Sequence, residues 1–86
     1  MGLVSRVIPQ EQFAAEVHKY ALELAKGSSP RSMRIIKRQV YNALFQSLGE
    51  AIDVANQEML NSFASEDFKE GVAHYLEKRP PAFTGR

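Results

Sequence analysis

The side chains with the most chemical potential crowd the last quarter of the chain. Gly71, Tyr75 and Lys78 recur at spacings of four and three, which on a helix stacks them along one edge. A notch, an aromatic face and a cation within two turns could hold a flat, anionic ligand such as a nucleotide. A mid-helix glycine costs roughly 1 kcal/mol against alanine, so something is expected to approach closely at Gly71. Packing accounts for the same three residues: a helix contact at Gly71, a half-buried Tyr75 and a solvated Lys78. On the residues alone, packing is the simpler reading.

Glu66, Asp67 and Glu70 form a small acidic cluster beside them. Paired carboxylates can do general acid–base work. Glu66 and Asp67 have a simpler task, because they put negative charge at the positive end of a helix dipole. Glu70 can face Lys69, His74 or solvent. His18, on the rim of the first helix, and His74, on the polar side of the last, are the only histidines. Neither has an i,i+4 histidine partner, so both are expected to be solvated and no metal site is assigned. The chain has no cysteine, which excludes disulfides, thiolate catalysis and Cys-ligated zinc. Its serines fall at caps and turns without a G-x-S-x-G elbow, and its five glycines form no phosphate loop. No catalytic residue can be assigned.

Four amphipathic helices must position these groups. Phe13, Val17, Tyr20, Ala21 and Leu24 recur at helical spacing over 10–27, with Glu16–Lys19 and Glu23–Lys26 as i,i+3 pairs and Gly27 closing the helix. Ser29 as N-cap and Pro30 as first residue open a second helix over 30–46, with Met33, Ile36, Val40, Ala43 and Leu44 as its core stripe. The opposite side carries Arg31, Arg34 and Arg38 beside Tyr41 and Phe45, a composition typical of partner-binding surfaces. The capping box Ser47-Leu48-Gly49-Glu50 starts a third helix over 48–63. Its core stripe is Leu48, Ala51, Ile52, Ala55, Met59 and Phe63; Val54 and Leu60 fall outside it. Ser65 caps the fourth, over 66–78, with Phe68, Val72, Tyr75 and Leu76 as its apolar stripe. Pro80 and Pro81 forbid its continuation. The tail over 79–86 has no period, and its one large apolar residue, Phe83, is expected to dock.

Residues 1–9 are an extended lead-in. Leu3 to Ile8 alternates roughly as a strand, but six residues cannot make a sheet alone. Either its partner lies outside this chain, or the segment packs on the first helix.

The 86 residues make a single all-α domain, one that buries only about 60–65% of its unfolded surface and is marginal alone. Hydrophobic residues at 44% and charged residues at 24% fit a soluble globular chain. No apolar run approaches the roughly 20 residues that span a bilayer, and no charged-then-apolar signal segment opens the chain, so a cytoplasmic location is expected and no membrane. A net charge of +1 argues against nucleic acid as a whole-surface partner. Phe45, Val54, Leu60 and the Leu3–Ile8 segment are surplus apolar positions, favouring a helical layer that completes its burial against something else.

The run Ala64-Ser65-Glu66-Asp67-Phe68-Lys69-Glu70-Gly71-Val72, followed by Tyr75-Leu76-Glu77-Lys78-Arg79-Pro80-Pro81-Ala82-Phe83-Thr84-Gly85-Arg86, closely resembles the C-terminal end of enoyl-CoA hydratase/isomerase (crotonase) proteins. The family pattern there is SEDxxEG followed by F-x-EKRxPxFxG. Gly2-Leu3-Val4-Ser5-Arg6-Val7-Ile8-Pro9 resembles the segment by which that family's chain leaves its catalytic domain. The resemblance covers the whole chain and implies the helical region alone, with the sheet-rich catalytic part missing or carried elsewhere.

That resemblance implies an oligomer-forming region, a trimer or dimer of trimers in the family, which helps cover the site for a coenzyme A thioester substrate in fatty-acid metabolism. Tyr75 matches the aromatic of the family's F-x-EK run. Lys78 matches the lysine that approaches the adenine-nucleotide part of coenzyme A. Met59 stands where hydratases often carry phenylalanine, which weakens any stacking there. No cofactor is implied, and the oxyanion-hole N–H groups and paired glutamates of the family cannot be placed on this chain. Whether the parent reaction is a hydration, an isomerisation or other acyl-CoA chemistry stays open. The alternative is a free-standing helical module that binds an acidic partner or nucleic acid through Arg31, Arg34, Arg38, Tyr41 and Phe45.

Overall fold

Three serines start three of the helices. The Ser29 hydroxyl accepts from the Ser32 N–H at 3.1 Å, Ser47 from Glu50 at 3.2 Å, and Ser65 from Phe68 at 3.1 Å. Each satisfies an N–H that the first turn would otherwise leave orphaned. The Ser47 hydroxyl also donates to the Glu50 carboxylate at 3.0 Å, so the two side chains of the capping box bind each other. The computed structural model describes all 86 residues and contains α1 (Gln10–Gly27), α2 (Pro30–Ala43), α3 (Leu48–Phe63) and α4 (Glu66–Glu77), with no strand. The chain is all-α.

Several helix ends differ from the sequence expectation. α2 stops at Ala43 rather than continuing to 46. Leu44, Phe45 and Gln46 turn away through hydrogen bonds to the carbonyls three residues back, a tighter turn than an α-helix allows. Gly27 is the last residue of α1 and keeps a negative φ, so it is not a left-handed cap; extended Ser28 ends the helix. Glu16 pairs with Arg6 of the lead-in at 3.5 Å and forms no ion pair with Lys19. The Arg6 guanidinium also lies over the Tyr20 ring, 5.7 Å from its centroid. The lead-in has no regular structure and leans on α1 through Arg6, while Leu3, Val4 and Val7 stay in solvent.

Packing follows a different line from the apolar stripes. α2 lies on α3 and α3 on α4, and α1 has no comparable helix partner. The least exposed positions of α2 are Arg31, Ile35 and Gln39; those of α3 are Ala51, Val54, Glu58 and Ser62. These rows at i, i+3 and i+4 form the α2–α3 seam. Arg31 donates to the Ser62 hydroxyl at 2.7 Å, and Arg38 pairs with Glu58. The side chains expected to be core, Met33, Ile36, Val40 and Leu44 on α2 and Leu48, Ile52, Met59 and Phe63 on α3, are all exposed. So is Phe45, at 90% exposure.

No hydrophobic side chain is buried anywhere, and Asp67, at 3% exposure, is the single buried residue. The radius of gyration is 16.6 Å, against about 12 Å for a compact domain of this length. The exposed area is 7267 Å², against about 5,100 Å² for a folded monomer of this mass. The helices form an open slab 47 × 39 × 17 Å across.

Candidate functional site

The C-terminal tail folds back along α4, and two carboxylates hold it there. Asp67, in the first turn of α4, takes three parts of the chain at once. Its carboxylate accepts from the Ser29 hydroxyl at 2.6 Å, the Thr84 N–H at 2.8 Å and the Gly85 N–H at 3.0 Å. Its own N–H donates to the Arg86 carbonyl at 2.9 Å. Burial alone would raise the Asp67 pKa. The Ser29, Thr84 and Gly85 bonds, with one from the Arg31 backbone, outweigh that and hold it below the ordinary aspartate value.

Glu70, one turn further on, grips the start of the tail. Both of its oxygens receive the Arg79 guanidinium, at 2.5 and 3.0 Å, and one also accepts the Ala82 N–H at 2.9 Å. The Arg79 bond, followed by the Ala82 bond, pulls the Glu70 pKa down to about 2. Arg79 reaches Glu77 as well, Nε to Oε2 at 2.6 Å. The acidic cluster is thus a set of anchors, with each carboxylate of Asp67 and Glu70 engaged by internal donors.

Gly71 is approached closely by the tail's own Phe83, whose ring edge comes within 3.9 Å of where a β-carbon would stand. The same ring meets His74 edge-on, centroids 6.0 Å apart. His74 is part-buried, its Nδ1 3.2 Å from the Arg79 carbonyl. The notch that the sequence offered to a ligand is therefore filled by Phe83, and His74 belongs to the tail's seat rather than to a solvated face. Tyr75 is 78% exposed, not half-buried. Lys78 follows α4 in the left-handed region, φ 53°, the one non-glycine residue with positive φ. Its ammonium takes part in none of the chain's ion pairs or hydrogen bonds. An exposed ring and an unpaired cation thus lie three positions apart at the end of α4, with the glycine occupied by Phe83.

Met59 lies elsewhere. It lines a groove of about 230 Å³ between α2 and α3 with Ile36, Ala55 and Ser62, and neither Tyr75 nor Lys78 borders it. Of the basic face, Arg31 and Arg38 bond into the α2–α3 seam and Arg34 donates to the Gly85 carbonyl at 3.3 Å. Tyr41 and Phe45 remain exposed. The Glu70–Arg79 grip and the Asp67 knot escape sequence reading because their partners lie 9 to 18 positions away in an aperiodic tail and 38 positions away at the start of α2. The one local signal is a glutamate followed by an arginine just before two prolines.

The whole chain, residues 1–86, matches the family model for enoyl-CoA hydratase/isomerase. A probable enoyl-CoA hydratase of Mycobacterium tuberculosis is 36% identical over 85 residues, covering 99% of this chain and 33% of that protein. The human mitochondrial enoyl-CoA hydratase domain-containing protein 3 is 32% identical over 83 residues, 96% of this chain and 27% of its own. A trans-2-decenoyl-[acyl-carrier-protein] isomerase of Streptococcus mutans is 33% identical, covering 99% and 32%. The crystal structure of an enoyl-CoA hydratase from Geobacillus kaustophilus superposes with a TM-score of 0.73 at 36% identity, over 99% of this chain and 32% of that one. The chain spans 27% to 33% of the length of these relatives. From end to end, this chain belongs to the enoyl-CoA hydratase/isomerase family.

Proposed function

We propose that these helices are the oligomer-forming, ligand-covering part of an acyl-CoA enzyme of the hydratase/isomerase type, inactive alone. The observation that carries this is the absence of any buried hydrophobic side chain. The chain exposes about 2,100 Å² more than a folded monomer of this mass, surface that the rest of the enzyme and neighbouring subunits would cover. The exposed stripes of α2 and α3, with Phe45 and Leu60, would meet neighbouring subunits in a homo-oligomer. Tyr75 and Lys78 would cover the nucleotide end of a coenzyme A thioester, the ring stacking and the ammonium meeting negative charge. Met59, in its own groove, would contribute apolar contact only. The rival reading of a nucleic-acid surface is weakened because Arg31, Arg34 and Arg38 each have an internal partner.

Titration with coenzyme A and with a DNA duplex, each at two salt concentrations, tests this reading. Coenzyme A should bind weakly, lose roughly tenfold in affinity in Lys78→Ala, and no 2-enoyl-CoA should be turned over. Duplex binding without coenzyme A binding would overturn it.

A further inference from the structure

Lys78 is a costly residue to place where it stands. The left-handed region disfavours any residue with a β-carbon, and helices ordinarily put glycine there. The turn is closed by the Arg79 N–H on the His74 carbonyl at 3.1 Å and the Lys78 N–H on the Tyr75 carbonyl at 3.4 Å. Arg79 is held in turn by Glu70 and by its carbonyl contact with His74 Nδ1. Lys78 also has a carboxylate next door, Glu77, yet Arg79 takes that carboxylate for itself. The Arg79 guanidinium therefore anchors the residue whose N–H closes the strained turn, and it also engages the carboxylate that precedes the lysine.

We infer that Glu70 and Arg79 are positioning residues that keep Lys78 unpaired and aimed outward for an anionic ligand. This rests on the reading of Lys78 as a coenzyme A contact and adds what makes that contact competent. A backbone strained at a ligand-facing residue and maintained by neighbours is a recurrent arrangement at binding sites.

The test is a double-mutant cycle on the full chain, read as coenzyme A affinity by calorimetry, with helix content followed by circular dichroism. Glu70→Gln removes a negative charge, so simple electrostatics expects tighter anion binding. Positioning expects the reverse: a loss of roughly fivefold to tenfold with helix content kept, because Arg79 and the turn loosen. Glu70→Gln added to Lys78→Ala should weaken binding no further than Lys78→Ala alone, whereas a merely structural role would make the two losses multiply. Unchanged or tighter binding in Glu70→Gln, or multiplying losses, overturns this inference alone. Absence of coenzyme A binding, or a Lys78→Ala variant that binds like the parent, overturns the coenzyme A reading and this inference with it.

Discussion

Phe83 and Gly71 sit face to face, the ring edge 3.9 Å from where a β-carbon on Gly71 would project. That distance is ordinary contact, so the site is close without demanding glycine. Gly71→Ala should therefore stabilise the chain by up to about 1 kcal/mol through helix propensity. Gly85 is the opposite case, since its φ of +83° strains any side chain even though the nearest neighbour, Pro30 Cβ, is 3.6 Å away. Gly85→Ala should cost roughly 1–2 kcal/mol. Urea unfolding of the two variants checks the sign of each.

Asp67 joins the start of α2, the start of α4 and the tail through one buried carboxylate. Asp67→Asn keeps the shape but turns an NH₂ toward donors that need an acceptor. The loss should be on the order of 2–3 kcal/mol, the cost of leaving buried donors unsatisfied. Hydrogen exchange should show it first at the Thr84 and Gly85 amides, whose partner is altered.

Both anchoring carboxyls have folded pKa values below their ordinary ones, so each stabilises the folded tail fully above its unfolded value. For Glu70 the contribution is complete above about 4.5 and fades as pH falls toward about 2. Protection of the Ala82 amide should fall over that window while the middle of α3 stays protected. Glu70→Gln should lose this protection at neutral pH and show much less further change on acidification. An Ala82 amide equally protected at pH 5 and pH 2.5 would exclude the anchor.

Helix starts were legible because their causes are local. Ser29-Pro30, Ser47 with Glu50, and Ser65 each carry the group that satisfies the first turn within three residues. Which face each helix packs was not legible. A stripe such as Met33, Ile36 and Val40 says only that the face prefers to leave water, not that α3 covers it. In this chain α3 instead meets Arg31, Ile35 and Gln39, a row whose charged member finds Ser62. The tail's anchors were invisible for another reason. Carboxylate-to-backbone bonds spanning 12 to 18 residues leave no periodic trace. The family resemblance singled out Met59, Tyr75 and Lys78; the last two are exposed at the end of α4, and Met59 lies in a separate groove. Helical spacing grouped Tyr75 and Lys78 with Gly71, but Phe83 occupies that position.

The most direct measurement is sedimentation of the 86-residue chain beside Phe45→Asp and Leu60→Asp, with helix content followed in parallel. The parent should have a mass well above the 9.7 kDa of one chain, and both variants should shift toward that value with helix content nearly kept. A 9.7-kDa parent with a radius of gyration near about 12 Å, and variants that sediment identically, would contradict the claim that these helices are finished by neighbours.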